Sequence, residues 1–207
     1  NKSNSAALAM HKEIVERAKI GEFAGESIAN LNDVNLMVPR GKYSVDFYQK
    51  NLRFHGVTYS YNIDYKNISK GFILPMANEA QVSLVLQLNK PIYQGQTVYP
   101  YIVIQVKKET EVEVKTKLKP EHEKYKNLAE LKAEYKGPLF EVFADIIRVL
   151  AQIQLIIPGQ EFKSKTGQVC IKASVKTQAG YLYPLKKSMI FITKPVTYFK
   201  VDDIKKV

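Results

Sequence analysis

The chain has 207 residues, 45% of them apolar and 25% charged, with a net charge of +11, enough for one large or two small domains with a real core. Its single cysteine, Cys170, excludes an intrachain disulfide and points to a reducing compartment, while His11, His55 and His122 stand too far apart for a metal site. No apolar run approaches the roughly 20 residues that span a bilayer, the longest, Ile146 to Ile157, being broken by Arg148, Gln152 and Gln154.

The first residue is Asn1 with no charged-then-apolar leader after it, as expected of a piece excised from a longer protein. Ser5 to Lys19 reads as a short helix, with Leu8, Ile14, Val15 and Ala18 near one face and Gly21 as a stop. Residues 1–24 are thus expected to form a helical lead-in. From Leu31 the pattern changes to strands. Tyr43, Val45 and Phe47 alternate with Ser44, Asp46 and Tyr48, and Gln49-Lys50-Asn51 suits a tight turn. Leu52 and Phe54 resume the alternation, Gly56 permits a second reversal, and Tyr59, Tyr61 and Ile63 follow. Phe72 to Leu74 and Val82 to Leu88 give two more strands, punctuated by Pro91 and Gly95. Tyr101 to Val106 is a nearly continuous apolar run suited to a buried strand. Glu111 to Lys117 has the charge alternation of an edge strand. With Leu31–Val38 this makes seven or eight antiparallel strands.

Lys119 to Gly137 is highly charged with weak periodicity, and reads as a surface loop with room for a short exposed helix. Pro138 suits a first helical turn. Leu139, Phe143, Ile146, Ile147, Leu150 and Ile153 then recur at helical spacing, predicting one amphipathic helix from Pro138 to Gln154 with its stop at Pro158-Gly159. Strands followed by one closing helix imply a barrel or sandwich capped at its open end, over residues 25–157. After Gly159 the strands restart: Val169, Ile171, Ala173 and Val175 on one face, a turn at Ala179-Gly180, then Tyr181–Pro184, Met189–Thr193 and a fourth strand holding Phe199, Val201 and Ile204. These strands, in residues 160–207, lack a closing helix of their own.

Charge is uneven. Residues 160–207 hold ten lysines and three acids, a net of +7. Such an excess suits polyanionic partners, although lysines on strand faces also keep sheets from pairing edge to edge. No glycine-rich phosphate loop, GxSxG elbow or HExxH pair is present. Cys170 sits in a strand without a neighbouring histidine, as a buried structural thiol would. Asp202 and Asp203 are adjacent, so in a strand they would face opposite ways rather than form a paired-acid site. The many strand tyrosines could stack on bases but are also simply good strand residues.

The stretch VPRGKYSVDFYQKNLRFHGVTYSYNI (38–63), then LNKPIYQGQTVYPYIVIQV (88–106) and LIIPGQEFKSKTGQVCIKASVKTQAGYLYPLKKSMIFITKP (155–195) resemble the middle domain of the FACT small subunit, the structure-specific recognition protein family. PRGKY, QGQT, IPG, GYLYPL and TKP occur in order across residues 20–207. The resemblance implies a mainly β fold of tandem pleckstrin-homology-like barrels, the first closed by a C-terminal helix and the second truncated. It implies a nuclear histone-chaperone module that binds histones and nucleosomal DNA to reorganise nucleosomes in transcription, replication and repair. It further implies no cofactor, no covalent catalysis, no membrane partner, and contact with the FACT large subunit mainly through a region absent here.

Candidate DNA-binding residues are Lys163, Lys165, Lys172, Lys176, Lys186 and Lys187. Histones are themselves basic, so their candidate contacts are the acids Glu109, Glu111, Glu113, Glu121 and Glu123. Two other functions compete. A phosphoinositide site would need a cage of cations from an early hairpin, where only Arg40 with Lys42 or Lys50 with Arg53 are offered, and fold alone confers no activity. A purely protein-binding scaffold would show no salt-dependent DNA binding.

Overall fold

The computed structural model describes residues 26–77, 80–118, 128–159 and 162–204, so the lead-in helix expected over Ser5–Lys19 lies outside the described residues. Seven strands follow one another: β1 Ala29–Val38, β2 Arg40–Phe47, β3 Asn51–Gly56, β4 Ser60–Asp64, β5 Ile68–Pro75, β6 Gln81–Gln94 and β7 Thr97–Lys107. The β8 strand Glu111–Lys115 pairs with β9 Glu134–Pro138 in a two-stranded ribbon. The α1 helix Leu139–Ala151 comes next, then the short β10 strand Leu155–Ile156. Strands β1–β7 and β10 form one eight-stranded sheet in the order β10-β5-β6-β7-β1-β2-β3-β4. Every pairing in it is antiparallel except β10 with β5.

Alternation explains the curled shape. Tyr43, Val45 and Phe47 of β2 are buried and their neighbours are not, so one face of the hairpins turns inward. In β1 the register shifts between Leu31 and Val34, where Asp33 takes a left-handed φ of 59°. Such a bulge sharpens local twist and helps the sheet roll. Tyr43 pairs with Gly56, and a Cβ on either Gly41 or Gly56 would meet its ring at 2.7 Å. The bare glycines of PRGKY and FHG therefore make the bed in which this aromatic lies.

The α1 helix plugs the rolled sheet. Leu139, Val142, Phe143, Ile146, Ile147 and Leu150 are buried, and Phe143 meets Phe47 edge to face with centroids 5.4 Å apart. Glu141 in the first turn and Arg148 in the last complement the helix dipole. The helix is shorter than Pro138–Gln154, and Pro158-Gly159 does not end it. Gln152 does, in a left-handed conformation at φ 53°, which frees Leu155 and Ile156 to pair with Gly71 and Phe72 of β5.

Three other local readings need correction. Residues 128–138 are not surface loop: Leu128, Leu131 and Tyr135 are buried, and β9 is a strand whose outward charges hid its one inward tyrosine. Pro91 lies within β6, at a register shift between Gln87 and Ile92, a place where proline is tolerated. Ala179-Gly180 does not turn the chain; both lie in β12, and Val175 pairs with Gln178 across the real turn.

A second sheet follows: β11 Ile171–Val175, β12 Gln178–Pro184, β13 Ser188–Ile192 and β14 Thr197–Lys200, an antiparallel meander in chain order. It packs on the outside of the first. Val38, Phe72, Leu74, Val85 and Val103 of the first sheet form one cluster with Cys170, Tyr183, Leu185, Ile190 and Ile192. Strands β5–β7 are therefore buried on both faces, by α1 within and the meander without, and their apolar runs follow from that.

Candidate nucleic-acid interface

The meander distributes the lysines by simple topology. The segment entering β11 and the β12–β13 turn lie at one end of the sheet, and the β11–β12 and β13–β14 turns lie at the other. Lys163 and Lys165 sit on the entering segment. There Ser164 and Gln168 clasp a turn: the Ser164 amide donates to the Gln168 carbonyl at 2.8 Å, and the Gln168 amide donates to Ser164 Oγ at 3.1 Å. Gln168 Nε2 then donates to the Ala77 carbonyl at 2.8 Å, tying the turn to the first sheet.

Lys186 and Lys187 occupy the β12–β13 turn, closed by the Leu185 amide donating to the Ser188 carbonyl at 2.8 Å. Lys163 and Pro184 line one shallow depression, so the two lysine pairs are neighbours. Lys172 lies near the start of β11 opposite Tyr181, and cross-strand partners share a face. It therefore stands on the side of the sheet that packs inward, at its open edge. The face bearing Ile171, Ala173 and Val175 points the other way, and Ile171 is 49% exposed. Lys176 is separate: it holds the β11–β12 turn, with φ 56°, at the opposite end.

The structure thus brings Lys163, Lys165, Lys186 and Lys187 to one end, with Lys172 at the adjoining edge, and leaves Lys176 out. All six are exposed, and none forms an ion pair with another described residue. Sequence reasoning missed Lys200, which pairs with Ser188 and so joins the same end. The alternation around Phe199 was its only signal. Asp202 and Asp203 follow in a 3-10 turn that begins at Val201, so the fourth strand keeps Phe199 but not Val201 or Ile204, and Asp203 Oδ2 accepts from the Lys200 amide at 3.3 Å. Their charge offsets part of the basic field there.

The acidic candidates fall elsewhere. Glu109, Glu111 and Glu113 are exposed at the β7–β8 turn and on β8, while Glu121 and Glu123 lie outside the described residues. Glu113 pairs with Lys136 at 3.8 Å, and Lys115 faces Glu134. The ribbon is thus mixed in sign rather than an acidic face. It packs on the α1 side of the first sheet, and Lys108, Phe140 and Glu141 beside its Glu111–Pro138 end line one cleft with Gly167, Gln168 and Val169 of the segment entering β11.

The buried groups here are structural. Tyr183 Oη donates to the Pro75 carbonyl at 3.0 Å, and burial pushes its phenol pKa well above the ordinary value. Burial likewise raises the Cys170 thiol, with Tyr183 beside it, so Cys170 is a poor nucleophile. Among the described residues, no three His, Cys, Asp or Glu gather as a metal site would need, and no helix is long and apolar enough to cross a membrane. In the β1–β2 hairpin, Lys42 is paired with Asp33 at 2.7 Å, and a single residue, Pro39, separates the strands.

Residues 26–155 match the family model described as SSRP1 PH domain, and residues 169–207 match the model described as histone chaperone Rttp106-like, middle domain. The FACT complex subunit POB3 of Saccharomyces cerevisiae is 38% identical over 202 residues, 97% of this chain and 36% of that protein. The subunit of the same name in Gibberella zeae is 37% identical over 203 residues, 98% of this chain and 36% of its own length. That of Debaryomyces hansenii is 39% identical over 202 residues, 97% and 37% respectively. The chain spans little more than a third of the curated relatives it matches.

Proposed function

The chain belongs to the SSRP1 PH domain family, and on that premise we propose that it is a histone-chaperone module of a FACT complex, acting in the nucleus without catalysing covalent chemistry. The observation that supports this most is the alignment of nearly the whole chain, both sheets together, with proteins named as FACT complex subunits. Residues 25–157 are then a first pleckstrin-homology-like domain and residues 160–207 the beginning of a second. The large FACT subunit is a partner through parts of the protein outside this region.

Within the module, nucleosomal DNA is assigned to the end of the meander that carries Lys163, Lys165, Lys186 and Lys187, with Lys172 beside it. Lysine ammonium groups on an ordered turn suit phosphate oxygens, which position a duplex without reading its sequence. Histones are assigned to the ribbon side through Glu109, Glu111 and Glu113, with Glu121 and Glu123 as further candidates. The mixed charge of the ribbon makes this the weaker electrostatic match, and apolar contact must supply the rest. The test is retention of core histones and of duplex DNA on the immobilised chain across a salt series. Retention of both, with DNA lost first as salt rises, is expected. Retention of neither at low salt would remove the reading and leave a protein-binding scaffold.

A further inference from the structure

At the end of the meander opposite the lysine group lies a cleft of about 500 Å³ between β7 and the β13–β14 turn. Its walls are Val98, Tyr99 and Tyr101 on one side and Pro195 and Val196 on the other, with Lys194 the one charged lining residue. The wall is built rather than incidental. Tyr99, Tyr101 and Val196 all pack on the cluster shared by the two sheets, so the cleft exists only because the sheets are docked. Its floor is fixed by that core, and its mouth is exposed at Val98, Lys194 and Pro195.

Along the chain segments that line the cleft, charge has one sign. Four chain segments line it, and along each of them no acidic residue stands within three positions of a lining residue. Arg40 follows Val38 by two positions and Lys176 precedes Gln178 by two, both flanking lining residues, and both are exposed. An apolar slot with Lys194 in its lining, on segments whose only charges are cations, is complementary to a segment whose apolar residue is flanked by carboxylates. Proline or an aromatic side chain fits walls of tyrosine and proline, as in other aromatic-lined peptide grooves. A nucleic acid strand fits less well. It brings a phosphate at every nucleotide against a single lining cation, and the tyrosine rings are packed into the wall instead of standing free to stack.

We propose that this cleft receives an acidic protein segment anchored by a proline or an aromatic residue. The proposal is independent of the DNA assignment, which concerns the other end of the meander.

The experiment is fluorescence anisotropy on the full chain with a short fluorescein-labelled Glu/Asp-rich peptide carrying a central Tyr-Pro pair. The comparators are the same peptide with glutamines for its acids, the same peptide with Gly-Ser for Tyr-Pro, and an oligothymidylate of equal length. Both peptide alterations should weaken binding by about tenfold, as loss of a central anchor does. Lys194→Glu and Val98→Glu, both at exposed positions, should each do the same, and Lys66→Glu in the 3-10 turn between β4 and β5 should change nothing. Equal binding of the Tyr-Pro and Gly-Ser peptides would overturn the proposal by showing diffuse charge attraction. So would oligothymidylate binding more tightly than the peptide and being weakened by Lys194→Glu and Val98→Glu, since the cleft would then be a nucleic-acid site.

Discussion

Tyr183 shows how much one side chain can join. It belongs to the second sheet, is fully buried, and its hydroxyl donates to Pro75 of the first. Tyr183→Phe keeps the ring and deletes that bond, so urea unfolding should show a loss of about 0.5–1.5 kcal/mol. No change would mean that the bond is replaced by water in the folded state. The buried tyrosines also set an alkaline limit. Desolvation raises Tyr61, Tyr65 and Tyr183 above the usual phenol value, so the fold binds their protons more tightly than the unfolded chain does. Their contribution is complete below about pH 10 and is lost as pH rises beyond it. The urea midpoint should hold between about pH 7 and pH 9 on their account, then fall above pH 10. A midpoint unchanged through that range would contradict the burial of these hydroxyls.

At the scale of elements, α1 carries the first core. Phe143 is fully buried against Phe47, and Phe143→Ala should cost about 3–5 kcal/mol, a large share of a domain's stability. A loss below 1 kcal/mol, measured by denaturant titration, would show that the helix is not the closing element. This helix was legible because Leu139, Phe143, Ile146, Ile147 and Leu150 repeat at helical spacing. So were β2, β3, β6 and β7, where alternation or a long apolar run reports one or two buried faces. What the sequence hid were elements whose burial rests on a single residue. In β9 only Tyr135 turns inward among charges, and β10 is two residues long. The turn at Lys176-Thr177 was misplaced onto Ala179-Gly180 because glycine usually marks a reversal. Here Gly180 is bare for another reason: a Cβ would strike the Ile192 carbonyl and the Phe191 ring. The candidate site was legible as a charge excess but not as a shape. Assigning Lys176 and the other five to ends of a sheet requires the strand order, which no periodicity reports.

For the whole molecule, the shared cluster between the sheets decides whether the meander is a tail or a part of the body. Cys170, Tyr183, Ile190 and Ile192 are at most 2% exposed, covered by the outer face of β5–β7. The sequence predicts that Val169, Ile171, Ile190 and Ile192 need a cover; the first sheet buries Ile190 and Ile192 and packs against Val169, whereas Ile171 points outward and stays 49% exposed. Limited proteolysis between Gly159 and Gly167 should therefore leave two fragments that co-elute on gel filtration. Release of the C-terminal fragment as an unfolded peptide would contradict this docking.

The lysine end of the meander is the centre of the functional account, and salt dependence of duplex binding probes it directly. Each phosphate neutralised on duplex DNA gives a log–log slope of about −0.9. With about three or four lysines engaged, the chain should show a slope near −3. Charge reversal of Lys163, Lys165 and Lys186 together should abolish most of the affinity and flatten the slope. Reversal of Lys66, Lys90 and Lys107, equally charged but on β6, β7 and the turn before β5, should leave both nearly intact. Equal losses from the two triple variants would contradict the account, and the C-terminal lysines would then be only a solvated face.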